Sequence, residues 1–206
     1  MRSQRELSVY LSKLETFEKP SMQLEQYKTP SHIAAEWIWT MALNGELANK
    51  TIVDAGSGPG ILGIAALILG TKKVYFVDKD PKAMQICIRN YNKVKEEYEL
   101  GEAEFITSDI SLSDLEADIV IQNPPFGTKN KHIDKIFLEK AFTTAPVVYS
   151  MHKYSTKEFV EAITKDHNFN ITHFWRYEFT LKHTQKHHKK PKILIDVGLW
   201  RLEKNI

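Results

Sequence analysis

Residues 51–63 read TIVDAGSGPGILG: an apolar run, a turn with glycine at every second position, then the start of a helix. Thr51 to Ala55 have the composition of a strand buried on both faces. Gly56, Gly58 and Gly60 let the backbone turn tightly and let a ligand approach it closely. Ile61, Leu62 and Gly63 open a helix whose start is expected to offer free N–H groups. The next apolar run ends in Asp78, at the distance where an acid accepts hydrogen bonds from two ribose hydroxyls. Asp54, the glycines, Ile61 and Asp78 together describe a nucleoside-cofactor site at the carboxyl ends of parallel strands. Gly58-Pro-Gly60-Ile-Leu-Gly63 also fits the dinucleotide fingerprint. A nicotinamide enzyme, or a glycine turn with no ligand, stays open at this point.

Outward from that stretch, strand and helix patterns alternate. Strands are expected at 51–55, 73–78, 103–107, 118–122 and 146–151, with helices near 60–70, 81–97, 132–144 and 155–167. Short apolar strands between helices predict a parallel sheet covered on both faces. Two helical stretches precede it, 3–16 and about 32–47, the second with Ser31 as its expected cap. Residues 171–179 and 193–202 are both strand-like with no helix between, which predicts a long hairpin. One α/β domain is expected over 1–206: helices and a covering segment in 1–48, then the sheet in 49–206.

The chain has 206 residues, 28 lysines and arginines and 26 acids, a net +2. Residues 182–192 (KHTQKHHKKPK) hold five lysines and no acid, so the remainder stands at −3. A slightly acidic body with one basic loop suits an anionic partner. The single cysteine, Cys87, excludes an intramolecular disulfide and a multi-cysteine zinc site. No apolar run is long enough to span a bilayer, and the N-terminus lacks the apolar core of a secretory signal. A soluble, cytoplasmic protein with no membrane partner is expected.

The fourth strand runs straight into Asn123-Pro-Pro-Phe-Gly127. Each proline pushes the residue before it into an extended conformation and removes an N–H donor. The result is a stiff corner of carbonyls with one side-chain amide. This suits a planar exocyclic amine, whose lone pair is delocalised into its ring. The Asn123 oxygen and the Pro124 carbonyl can bind both N–H groups and favour a pyramidal nitrogen aimed at an electrophile. Phe126 can stack on the base, as it would on an extruded one. A nicotinamide enzyme has no use for such a corner.

At this point the chain resembles the class I S-adenosylmethionine-dependent methyltransferases with an N-P-P-[FY] signature. It is similar above all to the methyltransferase-like protein 5 family of ribosomal-RNA adenine N6-methyltransferases and their archaeal relatives. Leu24-Glu-Gln-Tyr27 with Thr29-Pro30, His32-Ile-Ala-Ala35, Asn123 to Lys129 (NPPFGTK) and Tyr149-Ser-Met-His-Lys153 carry that resemblance. It implies a Rossmann-like seven-stranded sheet of order 3-2-1-4-5-7-6 with the last strand antiparallel. It implies that Gln26 and Thr29 fold over the methionine end of S-adenosylmethionine. Gly56, Gly58, Gly60 and Ile61 would wall the cofactor, Asp78 hold its ribose, and Asp109 and Ile110 touch its adenine. Asn123, Pro124, Pro125 and Phe126 would bind the target adenine. Cysteines common in the family's glycine turn are replaced by Ser57 and Pro59. The same amino-group chemistry would serve DNA adenine or a protein glutamine, and a non-catalytic RNA assembly factor is a further alternative. Family relatives pair with a small zinc-binding activator that adds a strand, and the edge strand near 103–107 is the expected place for one here.

Lys129, Lys153, Lys182, Lys186, Lys189, Lys190 and Lys192 are the candidate RNA contacts, each phosphate contact steepening the salt dependence by about 0.9 or less. His183, His187 and His188 lack a cysteine or nearby carboxylate and are read as conditional positive charge; no metal site is expected. His152 is read as structural or RNA-contacting, Cys87 as a buried inert thiol, and the four tryptophans as core.

Overall fold

The computed structural model describes residues 1–18, 20–21, 24–26, 28–126, 132–182 and 192–205. Two helices come first, α1 (Gln4–Leu11) and α2 (Ser31–Leu43). Then strands β1 (Thr51–Ala55), β2 (Lys73–Asp78), β3 (Glu102–Thr107), β4 (Ile119–Gln122) and β5 (Val147–Lys153) alternate with α3 (Ile61–Ile68), α4 (Pro81–Lys95) and α5 (Ile133–Thr144). Helix α6 (Lys157–Asp166) leads to the hairpin β6 (Phe169–Lys182) and β7 (Lys192–Lys204). The sheet has order β3-β2-β1-β4-β5-β7-β6. β7 runs antiparallel to both its neighbours and the other pairs are parallel, as expected. No helix among the described residues is long and apolar enough to cross a membrane.

Strand periodicity feeds two cores. Ile52, Val74, Phe76, Ile119 and Ile121 face one layer, with α1 to α4, while Val53, Val77, Val120 and Val148 face the other, with α5 and α6. α1 is seated by Leu7 and Leu11, both fully buried, each contributing roughly 1.5–3 kcal/mol. That anchorage fixes where the segment after α1 can run. α4 begins where Asp80 accepts the Lys82 N–H at 2.9 Å, with Pro81 in the first helical position. α2 differs from expectation. Ser31 is its first helical residue, and Pro30 holds the cap position without a side-chain bond. A fixed proline φ pre-forms the chain entry there, and no hydroxyl is required. Two 3₁₀ turns, Ile110–Leu112 and Tyr154–Thr156, are too short to leave a periodic signal.

Candidate active site

A cleft of about 1040 Å³, counting the space open to solvent, lies at the carboxyl ends of β1, β2 and β4. The glycine turn forms its floor. The Gly56 and Ser57 N–H groups donate to the Val77 carbonyl at 2.8 and 3.0 Å, tying the turn to β2. Gly58 N–H donates to Asp78 Oδ2 at 2.7 Å, and Asp80 N–H to Asp78 Oδ1 at 2.9 Å. Each Asp78 oxygen retains a second acceptor direction, as ribose hydroxyls require. Burial raises the Asp78 carboxyl above its ordinary range, with those two N–H groups opposing. Gly60 caps α3 at φ +84° and stands back from the cleft, its α-carbon facing the buried Cys87 sulfur. Burial pushes the Cys87 thiol up, and the charges of Asp54 and Asp78 add to this, so it stays protonated.

One expectation is narrowed. Among the amides at the start of α3 the Gly63 N–H is not free, because Asp54 Oδ2 accepts it at 2.8 Å. Burial pushes the Asp54 carboxyl up to about 7, against that N–H, and the Asp78 charge adds to it. A dinucleotide pyrophosphate needs those amides and no carboxylate beside them. Five carboxylates line the cleft (Glu15, Glu25, Asp54, Asp78, Asp109) against Lys28 and Lys79. That donor set fits a cationic nucleoside such as S-adenosylmethionine and repels a dinucleotide. Ser57 Oγ, buried at the cleft wall, has no hydrogen-bond partner among the described residues, which leaves it for a ligand.

The far wall is built by Ser108, Asp109 and Ile110. Asp109 caps the 3₁₀ turn by accepting from Ser111 N–H at 3.0 Å and Ser111 Oγ at 2.8 Å. Burial raises its carboxyl, but those two bonds outweigh it and the net direction is down. Residues 14–17, 24–26 and 28–29 form the roof. Gln26 lines the cleft, yet both ends of its amide are engaged: Nε2 donates to Asp80 Oδ2 at 2.7 Å and Oε1 accepts Ser21 N–H at 2.9 Å. It fastens the roof to the start of α4. Asn90 does the same from α4. It accepts Glu15 N–H at 2.8 Å and donates to the carbonyls of Glu15 and Pro59 at 3.0 and 2.9 Å. The sequence reading missed Asn90, although an asparagine on the buried stripe with Ala83, Cys87 and Val94 is itself a signal.

The Asn-Pro-Pro-Phe corner closes the cleft at the end of β4. Asn123 and Pro125 line it, Pro124 is buried, and Phe126 is half-buried against the core. Asn123 Nδ2 donates to Thr29 Oγ1 at 2.8 Å, which orients the amide and joins corner to roof. Beneath it, Gln122 Nε2 donates to Ser150 Oγ at 2.9 Å, and Ser150 Oγ lies 2.6 Å from His152 Nε2. Burial lowers His152 to about 3. It is therefore neutral, accepts the Ser150 hydroxyl proton, and is structural. Lys153 Nζ lies 5.8 Å from the Phe126 ring centroid, bringing that lysine to the corner. Lys129, Lys186, Lys189 and Lys190, with His183, His187 and His188, lie outside the described residues, as do the side chains of Lys182 and Lys192. Among the described residues no cluster of His, Cys, Asp or Glu is arranged to hold a metal ion.

Residues 32–124 match the family model of ribosomal protein L11 methyltransferase (PrmA). The chain is 31% identical to the uncharacterized protein MJ0284 of Methanocaldococcus jannaschii over 99% of its own length and 95% of that protein's. It is 34% identical to the rRNA N(6)-adenosine-methyltransferase METTL5 of Danio rerio, over 96% and 97%. The crystal structure of PH1948 from Pyrococcus horikoshii, put forward as an RNA methyltransferase, superposes with a TM-score of 0.90 at 36% identity, covering all of both chains. With the glycine turn, the acid-lined cleft and the Asn-Pro-Pro-Phe corner in one site, and near-complete overlap with these relatives, this chain belongs to the METTL5 family of methyltransferases.

Proposed function

We propose that this protein transfers a methyl group from S-adenosylmethionine to N6 of an adenosine in small-subunit ribosomal RNA, in the cytoplasm. The observation that carries the reading is Asn123, held by Thr29 at the end of β4 and facing the cleft that Asp78 and the glycine turn also line. The cofactor supplies a methyl group activated on a sulfonium. Asp78 accepts from the ribose hydroxyls, Asp109 and Ile110 enclose the adenine, and Gly56, Gly58 and Ile61 form the floor. Gly60 holds the turn in shape from behind. Thr29 and Gln26 keep the roof closed over the methionine end. The target base enters beside Phe126 and stacks on it. The Asn123 Oδ1 and the Pro124 carbonyl accept the two N–H bonds of the target amine, directing its lone pair at the methyl carbon. Pro125 keeps a competing donor out of the corner. The N–C bond forms as the C–S bond breaks, and the cationic nitrogen then releases its proton to water. No general base is required of the protein.

Family membership and the lysine beside Phe126 support an RNA acceptor. Lys153 would neutralise phosphate at the mouth, with Lys129, Lys182, Lys186, Lys189, Lys190 and Lys192 extending the basic surface. Asn123→Ala is expected to abolish tritiated-methyl transfer to ribosomal RNA while changing the cofactor Kd by less than about threefold, the scale of one modest hydrogen bond. Equal loss of both would mean that the corner is structural only. Parallel reactions on DNA and on a protein glutamine would reveal a different acceptor.

β3 ends the sheet, and Leu112 just beyond it is 79% exposed. An open edge invites strand addition. The partner proposed for it is a small zinc-binding activator protein. Co-expression followed by gel filtration is expected to give one joint peak, and separate peaks would dismiss the partner.

A further inference from the structure

Just past the carboxyl end of β5, whose Lys153 reaches the corner, the fold presets a cation. The Arg176 guanidinium carbon lies 3.9 Å from the centroid of the Tyr154 ring. Its Nε and Nη2 donate to Asp196 Oδ1 and Oδ2 at 2.9 and 2.7 Å. The three residues come from three elements: the 3₁₀ turn after β5, then β6 and β7. The guanidinium is thus held by a carboxylate along its Nε–Nη2 edge and lies over a ring, yet its side chain is 48% exposed. Phe174, two residues earlier on the same face of β6, is 39% exposed and sits 6.1 Å from the Tyr154 ring. Tyr154 directly follows Lys153, whose Nζ lies over Phe126. Tyr154, Arg176 and Phe174 therefore form a strip of two rings and a cation on the face of the hairpin that carries Trp200, and Lys153 links its Tyr154 end along the chain to the corner.

Folding gains little from such an arrangement. An exposed ion pair contributes at most about 1 kcal/mol, and ordering an arginine opposes even that. A preset plane does, however, lower the cost of binding something flat. Asp196 also offsets the arginine's charge, which weakens its grip on a phosphate. Unstacked RNA bases are held on aromatic rings and on guanidinium planes. We propose that the Tyr154–Arg176–Asp196 clamp is a stacking platform for a single-stranded nucleotide next to the target adenosine, recognised through the face of its base. The inference rests on the RNA-methyltransferase reading above and adds a subsite to it.

The test uses a short uridine-rich RNA with one central adenosine, and the same RNA with an abasic residue on the 5′ or the 3′ side of that adenosine. Arg176→Ala is expected to weaken binding of the intact RNA about tenfold, with cofactor affinity unchanged. It should have no effect on one of the two abasic RNAs, whose contact is already missing. Arg176→Lys, which keeps charge but not the plane, should fail to restore binding; Tyr154→Phe should behave as wild type and Tyr154→Ala should not. The salt dependence should keep its slope. Rescue by Arg176→Lys, with Arg176→Ala lowering the slope by about 0.7, would make this a phosphate contact and overturn the platform. Wild-type RNA methylation with unaltered binding by Arg176→Ala would sink the platform alone. A wild-type protein that neither binds nor methylates RNA would sink the underlying reading with it.

Discussion

At the scale of single residues, Asp54, Asp78, Asn90 and Gln26 hold the site by accepting backbone N–H groups. Asn90 is the clearest. Replacing it with alanine orphans the Glu15 N–H and removes donors from two carbonyls. Asn90→Ala is expected to lower stability by about 2–3 kcal/mol in urea unfolding and to weaken cofactor binding, because the roof loses its tether. Arg89 is a useful contrast. It also reaches Glu15, at 2.9 Å, but both side chains are half-exposed. Arg89→Ala should cost less than about 1 kcal/mol and leave cofactor affinity unchanged. Two contacts to the same residue thus differ because only one is buried and bonded to backbone.

At the scale of elements, the β1–turn–α3 unit depends on how closely α4 packs behind it. A Cβ at Gly60 would stand 2.4 Å from Cys87 Sγ, at a φ of +84°. Gly60→Ala therefore incurs two separable costs: roughly 1–2 kcal/mol for the left-handed backbone and about 1–3 for overpacking. In the Gly60→Ala, Cys87→Ala double variant the second should be relieved and the first remain. A double-mutant cycle by urea unfolding measures that difference directly; simple additivity would show that Cys87 is not the obstacle. The sulfur is thus a packing partner of the glycine turn, in keeping with its raised pKa. Element positions were legible throughout the alternating region, because strands buried on both faces and amphipathic helices leave strong periods. Boundaries moved by a few residues at α1, α2 and the hairpin, where caps and turns, rather than the period, end the element.

At the scale of the whole molecule, two buried groups set opposing pH dependences. His152 titrates near 3 when folded and near about 6.5 when unfolded, so the unfolded chain binds more protons between them. Its share of stability is complete above about pH 6.5 and is lost as pH falls toward 3. Asp54 titrates near 7 when folded and near about 3.9 when unfolded. Its share is complete below about pH 4 and is lost as pH rises toward 7. The slopes, each up to about 1.4 kcal/mol per pH unit, oppose one another from about pH 4 to 6.5. Relative to wild type, Asp54→Asn should gain stability as pH rises through that window, and His152→Gln should lose it. Urea unfolding across the window measures both; parallel profiles for all three proteins would refute these assignments.

The sequence by itself determined the strand–glycine turn–helix unit, the acid after β2, the stiff Asn-Pro-Pro-Phe corner and the alternation that builds a parallel sheet. Each is written in neighbouring residues, through backbone restriction or side-chain period. Only the tertiary structure decided what meets across the chain: Asn123 with Thr29 at a separation of 94 residues, Asn90 with Glu15 at 75, Gln26 with Asp80 at 54. It also decided that Asp54 accepts the Gly63 N–H of α3 and that the Arg176 guanidinium lies over the Tyr154 ring. A hydrogen bond or a stack between distant residues has no period and no local signature. It exists only once the packing of the sheet and its helices has brought the two side chains to within reach.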